Sequence, residues 1–340
     1  MKNEILRRLS ALALGLALLL NAAPLPQAFA VEDDTDASSS DSADSTDTAD
    51  KTAVTTADSD PTVTAAAANA PALDATAALL VSPESDMVLY EKNADEKRYP
   101  ASTTKIMTAL LTLENVSDLS VVVTAEASDF ENVTSDSSNA GIKVGEQVTV
   151  KDLLYALMLP SANEAAYMLA RHVGGSWEQF VDMMNERAAE LGCTGTHFCN
   201  PCGLHEDDHY TTAHDLYLIA KEAMKDATFR DIVSTVQHRM AKTNLHEERI
   251  ILTTNQLIFS SFQPWSYANC LGIKTGHTSQ AGNCFVGYAE YGDAKLFSVV
   301  LGCSSSSKEY PTVAASFTDT KSLCQWGFEN FTSKTLARQG

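Results

Sequence analysis

The stretch YPASTTKIMTALLTLE, Tyr99 to Glu114, sets a serine three residues ahead of a lysine where an apolar helical pattern begins. Ile106, Leu110 and Leu113 fall at helical spacing with Met107 and Leu111 beside them, which predicts a buried amphipathic helix after Pro100. Two readings compete for its first turn. Serine and threonine are preferred helix caps, and Ser102 suits that part. Residues three apart also share a helix face, so Ser102 and Lys105 can meet. The helix N-terminus then places partial positive charge near the hydroxyl. A lysine kept neutral by burial or by a nearby cation is a base of the kind a serine nucleophile needs. Ser305-Ser306-Ser307-Lys308 repeats the spacing in a polar, serine-rich stretch with no apolar helix attached. Spacing alone does not decide.

Working outward, ATAALLV (75–81) and MVLYEKN (87–93) flank SPESD and predict a β-hairpin. Downstream, VTVKDLLYALMLP (148–160) and NEAAYMLARHVGG (163–175) predict two helices joined near Ser161. SWEQFVDMMNERAAELG (176–192) predicts a third, capped by Ser176 with Gln179 three residues on, and HDLYLIAKEAM (214–224) a fourth. Beyond about residue 249 the pattern changes. CLGIKTG (270–276), NCFVGYAEYG (283–292) and AKLFSVVLGC (294–303) read as strands, the last two turning through Gly292-Asp293, and a final helix covers about 312–328. A hairpin, a helical middle and a late set of strands imply an α/β (α+β) fold: a mixed, largely antiparallel sheet, helices on both faces and a helical insertion.

The first 71 residues read differently. Lys2, Arg7 and Arg8, the apolar run Leu9–Leu20 and the small residues of Ala28-Phe29-Ala30 predict a secretory signal over 1–30, too short at its apolar centre for a comfortable membrane span. An exported chain follows, with no transmembrane anchor after signal cleavage. Residues 31–71, built of Asp, Ser, Thr and Ala, bury too little surface to offset chain entropy and predict a disordered acidic tether. Residues 31–60 hold ten acidic residues and one lysine, so −9 of the formal −20 lies there; the first thirty residues carry +2, leaving −13 for the rest. That balance argues against nucleic acid as a partner. The remainder, 72–335, is expected as one catalytic domain, with 336–340 a tail. The seven cysteines are an odd number for an exported chain. Either the compartment is weakly oxidising or some are small buried hydrophobes.

Three further groups of residues carry possible chemistry. Ser161-Ala162-Asn163 lies in a turn, where Ser161 with Glu164 forms a capping box or Ser161 and Asn163 point a hydroxyl and an amide into a cleft. Lys274-Thr275-Gly276 ends a strand, whose edge can bind an extended peptide; Gly276 would permit close approach, and Lys274 and Thr275 would offer a cation and a hydroxyl to a carboxylate. His197, Cys199, Cys202, His205, His209 and His214 invite a zinc reading, but only one Cys-x-x-Cys pair is present and its spacing matches no zinc finger.

The order S-x-x-K, S-x-N, K-T-G on helix, turn and strand is nearly the set of class A β-lactamases and penicillin-binding proteins. From Ala77 to Phe328 the chain resembles a low-molecular-mass penicillin-binding protein, a serine-type D-Ala-D-Ala carboxypeptidase of the β-lactamase-like transpeptidase superfamily. YPASTTKIMTALLTLE, VTVKDLLYALMLPSANEAA, THFCNPCGLHEDDHYTTAHDL and GIKTGHTSQAGNCFVGYA all resemble family stretches. The resemblance implies a mostly antiparallel five-stranded sheet with an inserted all-helical subdomain, and no cofactor or metal. It implies that Ser102 attacks the carbonyl between two D-alanines at the end of a peptidoglycan stem peptide, and that Lys105 takes its proton. Ser161 and Asn163 would complete the proton path. Lys274 would lower the pKa of Lys105 by like charge and attract the substrate carboxylate with Thr275 and Gly276. The main-chain N–H groups of Ser102 and His277 would form the oxyanion hole, and β-lactams would acylate Ser102. The histidine and cysteine cluster becomes a structural loop near the cleft.

Departures are modest. Ala162 and Glu164 stand where the family often has Gly and Asp. Residues 304–316 lack the arginine expected after the last strand, with Lys308 its nearest substitute. A following β-rich domain and amphipathic anchor, present in many relatives, are expected to be absent. A class A-like β-lactamase is the closest alternative, but no E-x-x-L-N stretch follows the second motif. A transpeptidase, whose relatives usually carry extra domains, and a catalytically silent wall-binding module are weaker ones.

Overall fold

The computed structural model of the chain describes residues 52–53, 69–134, 137–259 and 263–331. The predicted signal over 1–30, the tail over 336–340 and all of the predicted tether except 52–53 and 69–71 lie outside them. Two residues from inside that tether, β1 (Thr52–Ala53), pair with the outer edge of the predicted hairpin, β2 (Ala77–Ser82) and β3 (Met87–Lys92). After Pro100 comes a 3₁₀ turn, Ala101–Thr104, continuing as α1 (Lys105–Asn115). The middle of the chain forms β4 (Val122–Thr124), β5 (Gln147–Thr149), α2 (Val150–Met158), α3 (Asn163–Gly174), α4 (Trp177–Glu190), α5 (Ala213–Ala223), α6 (Ala227–Val233), β6 (Gln237–Met240) and β7 (Arg249–Leu252). A single turn α7 (Gln256–Phe259) leads to β8 (Cys270–Thr278), β9 (Gly282–Tyr291), β10 (Ala294–Cys303) and α8 (Ala315–Asn330).

The main sheet has the order β1-β3-β2-β10-β9-β8, antiparallel throughout. It therefore holds the five expected strands plus the two-residue β1. Successive side chains of a strand point to opposite faces, and the core divides accordingly. Leu79, Val81, Phe297, Val299 and Leu301 join the cluster that contains α1 and α5. Leu80, Leu296 and Val300 join the cluster beneath α8, with Leu323 and Trp326. Helices cover both faces, as the layer argument requires.

The insertion expected to be all-helical also carries two small sheets, β4 with β5 and β6 with β7. These strands are three or four residues long, and β4 meets β5 across a long loop, so no local alternation reveals the pairing. Helix α1, expected to be a buried amphipathic helix, is buried over eight of its eleven residues, polar Lys105, Thr108 and Thr112 among them. Its polar groups are satisfied inside the protein: Thr108 donates to Pro201 O (2.6 Å) and Thr112 to Thr108 O (2.7 Å). Lys105, at its first position, therefore begins in a nearly dry interior.

Candidate active site

The cap reading of Ser102 fails on geometry. Neither Pro100, at the start of the 3₁₀ turn, nor Thr104, at the start of α1, makes a side-chain cap hydrogen bond. The Ser102 hydroxyl instead lies 3.0 Å from Lys105 Nζ. The same ammonium donates to Asn163 Oδ1 (2.7 Å) and to the Cys202 carbonyl (2.7 Å), so three acceptors from three parts of the chain fix one nitrogen. Lys105 is wholly buried. That burial pushes its pKa down to about 8, against the opposing pull of Cys202 and the Glu164 carboxylate.

Of the two readings of Ser161, the capping box does not form either. Helix α3 is preceded by Ala162, which makes no side-chain cap bond, and the Glu164 carboxylate instead accepts the Ala140 N–H (2.6 Å). The Asn163 N–H donates to Ser138 O (2.9 Å), tying the helix start to the loop before β5. Ser161 sits at φ +66°, unusual for a residue with a Cβ. Its hydroxyl oxygen is buried and has no hydrogen-bond partner among the described residues. Strain and an unpaired polar atom coincide at one side chain.

Strand β8 supplies the third side. Thr275 Oγ1 lies 2.6 Å from Thr254 Oγ1, and Lys274 is buried behind it, donating to Thr275 O at 3.2 Å. Burial first, and then repulsion by Lys105, drives the Lys274 pKa well below its ordinary value. The lowering of Lys105 is likewise due first to burial, instead of the like-charge push from Lys274 expected above. Gly276 also packs against the turn that carries Ser102. A Cβ there would stand 3.0 Å from Pro100 O, 3.1 Å from Ala101 Cβ and 3.1 Å from Ser102 N, so glycine is needed by the turn that carries Ser102. Gly203, at φ +86°, also lies against the turn; a Cβ there would fall 1.9 Å from Ala101 O. Exposed His277 follows Gly276 directly.

Ser102, Ser161, Asn163, Thr275, Gly276 and His277 line one cleft of about 430 Å³, with Lys105 and Lys274 outside its lining. The seven residues of the three motifs, and His277 after them, are thus gathered at one place. Ser137 and Ser138, Thr254, and Ser316 also line it, while Lys308 does not. Sequence reasoning missed the Cys202 and Ser138 carbonyls, because main-chain acceptors carry no residue signature. The THFCNPCGL stretch did place Cys202 near the cleft.

The histidines of that stretch are engaged elsewhere. His209 is buried, accepts the Cys199 N–H at Nδ1 (3.0 Å) and faces Thr104 Oγ1 through Nε2 (2.8 Å). The proton is therefore assigned to Nε2, and burial holds the ring neutral with a pKa of about 3. Among the described residues no three His, Cys, Asp or Glu side chains are grouped to hold a metal ion. All seven cysteines are free thiols.

Residues 64–305 match the D-alanyl-D-alanine carboxypeptidase family. The chain is 34% identical to D-alanyl-D-alanine carboxypeptidase DacF of Bacillus subtilis over 68% of its own length and 58% of that protein's, so it spans a little over half of this relative. It is 35% identical to the D-alanyl-D-alanine carboxypeptidase of Streptomyces sp. strain K15, covering 71% of this chain and 82% of that one. Among solved structures, that of the Streptomyces K15 DD-transpeptidase superposes with a TM-score of 0.68 at 33% identity, over 77% of this chain and 99% of the other. The D-alanyl-D-alanine carboxypeptidase of Mycobacterium tuberculosis superposes with a TM-score of 0.69 at 30% identity, over 78% and 94%. The solved Streptomyces K15 DD-transpeptidase is thus matched almost from end to end. With the three motifs in one cleft and the matched region spanning most of its length, the chain belongs to the D-alanyl-D-alanine carboxypeptidase family of serine peptidases.

Proposed function

We propose that the chain is an exported serine D-Ala-D-Ala carboxypeptidase that removes the terminal D-alanine from peptidoglycan stem peptides through an acyl-ester on Ser102. The observation that carries this reading is the buried Lys105 ammonium, joined to Ser102 and Asn163 with its pKa down near 8. Deprotonated, Lys105 Nζ takes the Ser102 hydroxyl proton as Oγ attacks the penultimate D-alanine carbonyl. The developing oxyanion is met by the Ser102 and His277 main-chain N–H groups. Collapse breaks the C–N bond, and the leaving nitrogen takes a proton relayed from Lys105 through Ser161, whose unpartnered hydroxyl suits the relay. Water then attacks the ester, Lys105 accepts its proton, and the shortened peptide leaves as Ser102 is reprotonated. Thr275 and Lys274 bind the terminal carboxylate, whose charge favours the ammonium form of Lys274 against the burial that lowers its pKa.

The basic, apolar N-terminal pattern supports export, and the acidic stretch after it supports a solvated tether. Among the described residues no helix is long and apolar enough to cross a membrane.

The test is intact mass against time after mixing the protein with benzylpenicillin, alongside D-alanine release from a pentapeptide ending in D-Ala-D-Ala. A lasting adduct with D-alanine release is expected. Drug consumed without an adduct would indicate a β-lactamase; an intact drug, no adduct and no release would indicate a silent wall-binding module. The match to a structure titled DD-transpeptidase favours one second reading. If an added acceptor amine captures the acyl group faster than water does, transpeptidation is the main activity.

A further inference from the structure

A second cavity lies beside the catalytic cleft. It encloses about 580 Å³ and is lined by Lys97, Arg98 and Tyr99 ahead of the Ser102 turn, Tyr210 ahead of α5, and Gln280 and Ala281 between β8 and β9. The two spaces share walls. Thr278 and Asn283 of the β8–β9 connection face the cleft, while Gln280 and Ala281 between them face the cavity. Tyr99 precedes Ser102 by three residues, so their Cα atoms lie at most about 11 Å apart.

The lining has the chemistry of an anion site in a chain that is otherwise strongly acidic. The Lys97 ammonium stands 3.8 Å from the centroid of the Tyr210 ring and forms no ion pair among the described residues. Arg98 is held by Thr76 Oγ1 (3.3 Å) and Glu96 (2.6 Å), so its position is set while part of its charge is spent. Asp207 contributes a carboxylate to the lining, but its side chain is 96% exposed and faces His205 at 3.6 Å. The Tyr99 and Tyr210 rings and the Gln280 amide add flat and hydrogen-bonding surface of the kind that peptide bonds pack on.

We propose that this cavity is a second substrate subsite, taking a carboxylate-bearing residue of the stem peptide upstream of the scissile D-Ala-D-Ala bond, with Lys97 as the principal cation. This deepens the proposed function and rests on it. An extended chain advances about 3.4 Å per residue, so a residue about three positions before the cleavage point reaches from the cleft to the cavity. Two linked contacts on one substrate raise affinity through effective concentration and leave the chemistry at Ser102 unchanged.

The test uses the full chain and three peptides: diacetyl-L-Lys-D-Ala-D-Ala, L-Ala-γ-D-Glu-L-Lys-D-Ala-D-Ala, and the latter with its glutamate carboxylate amidated. Lys97→Ala is expected to raise KM about two- to fivefold for the carboxylate peptide alone. Lys97→Glu should raise it about tenfold, Lys97→Arg should restore it, and the effect should shrink in high salt. The short and amidated peptides, and acylation by benzylpenicillin, should be unchanged. The same KM for the carboxylate peptide in all variants, or an equal change for all three peptides, overturns the proposal. If the wild type neither cleaves any peptide nor forms the penicillin adduct, the proposed function itself has failed, a result distinct from wild-type cleavage that ignores residue 97.

Discussion

Ser102 and Ser176 begin as the same sequence feature, a serine three residues ahead of a long polar side chain where a helix starts, and they end as opposites. At Ser176 the hydroxyl accepts the Gln179 N–H at 3.2 Å, and α4 is capped as its sequence predicts. At Ser102 the hydroxyl faces the Lys105 ammonium, and no side chain caps the turn. The difference lies in what surrounds them. The Ser176 cap is exposed and complete within four residues. Ser102 lies on a turn packed against Gly203 and Gly276, and its lysine is held by Asn163 and Cys202 from distant parts of the chain. A local motif keeps its local meaning only until tertiary neighbours claim the same atoms.

The largest effect that tests this contrast is Ser102→Ala. It should lower penicillin acylation and D-alanine release by at least about 10⁴-fold while leaving the protein folded, checked by mass and by circular dichroism. Residual activity near the wild-type level would mean that Ser102 is not the nucleophile.

Gly276→Ala comes next. Its new Cβ meets main-chain atoms of Pro100 and Ser102 at 3.0 and 3.1 Å, so the turn has to shift by a few tenths of an ångström. A loss of about 10- to 100-fold in acylation rate is expected, with the melting temperature little changed. Equal acylation rates would mean that the close packing of β8 on the turn has no bearing on reactivity.

The pH profile of acylation is a finer test. Lys105 acts as a base only when neutral, and burial sets its pKa near 8 instead of 10.5. The rate should therefore rise about tenfold per pH unit below 8 and level off above it. A profile still climbing at pH 10 would show that burial does not tune the lysine in solution.

Ser176→Ala should have the smallest effect, a loss of about 1 kcal/mol of stability read by denaturant unfolding, with no change in acylation. Together with Ser102→Ala it separates capping from catalysis in two residues of the same type.

Much of this was legible in one dimension. The β2–β3 hairpin, α3, α4, α5 and the strands β8 to β10 follow from periodicity and turn residues, and Gly292, at φ +60°, closes the β9–β10 hairpin where the sequence places it. The site residues were readable because each motif is short and its side chains carry the chemistry. The β4–β5 and β6–β7 pairings were not, since short strands that meet across long loops leave no periodic trace. Nor could the sequence show that Glu164 would turn away from Ser161 to Ala140, or that the ammonium of Lys105 would rest on the Cys202 carbonyl.

By itself, then, the sequence determined the kinds of side chain present, the elements that carry them and the order in which they come, because periodicity, caps and turns act over a few residues. Only the tertiary structure decided which serine caps a helix and which faces a buried lysine. That depends on burial and on contacts between residues tens to hundreds of positions apart, and these set the pKa of Lys105, the fit of Gly276 against the turn and the unpaired hydroxyl of Ser161.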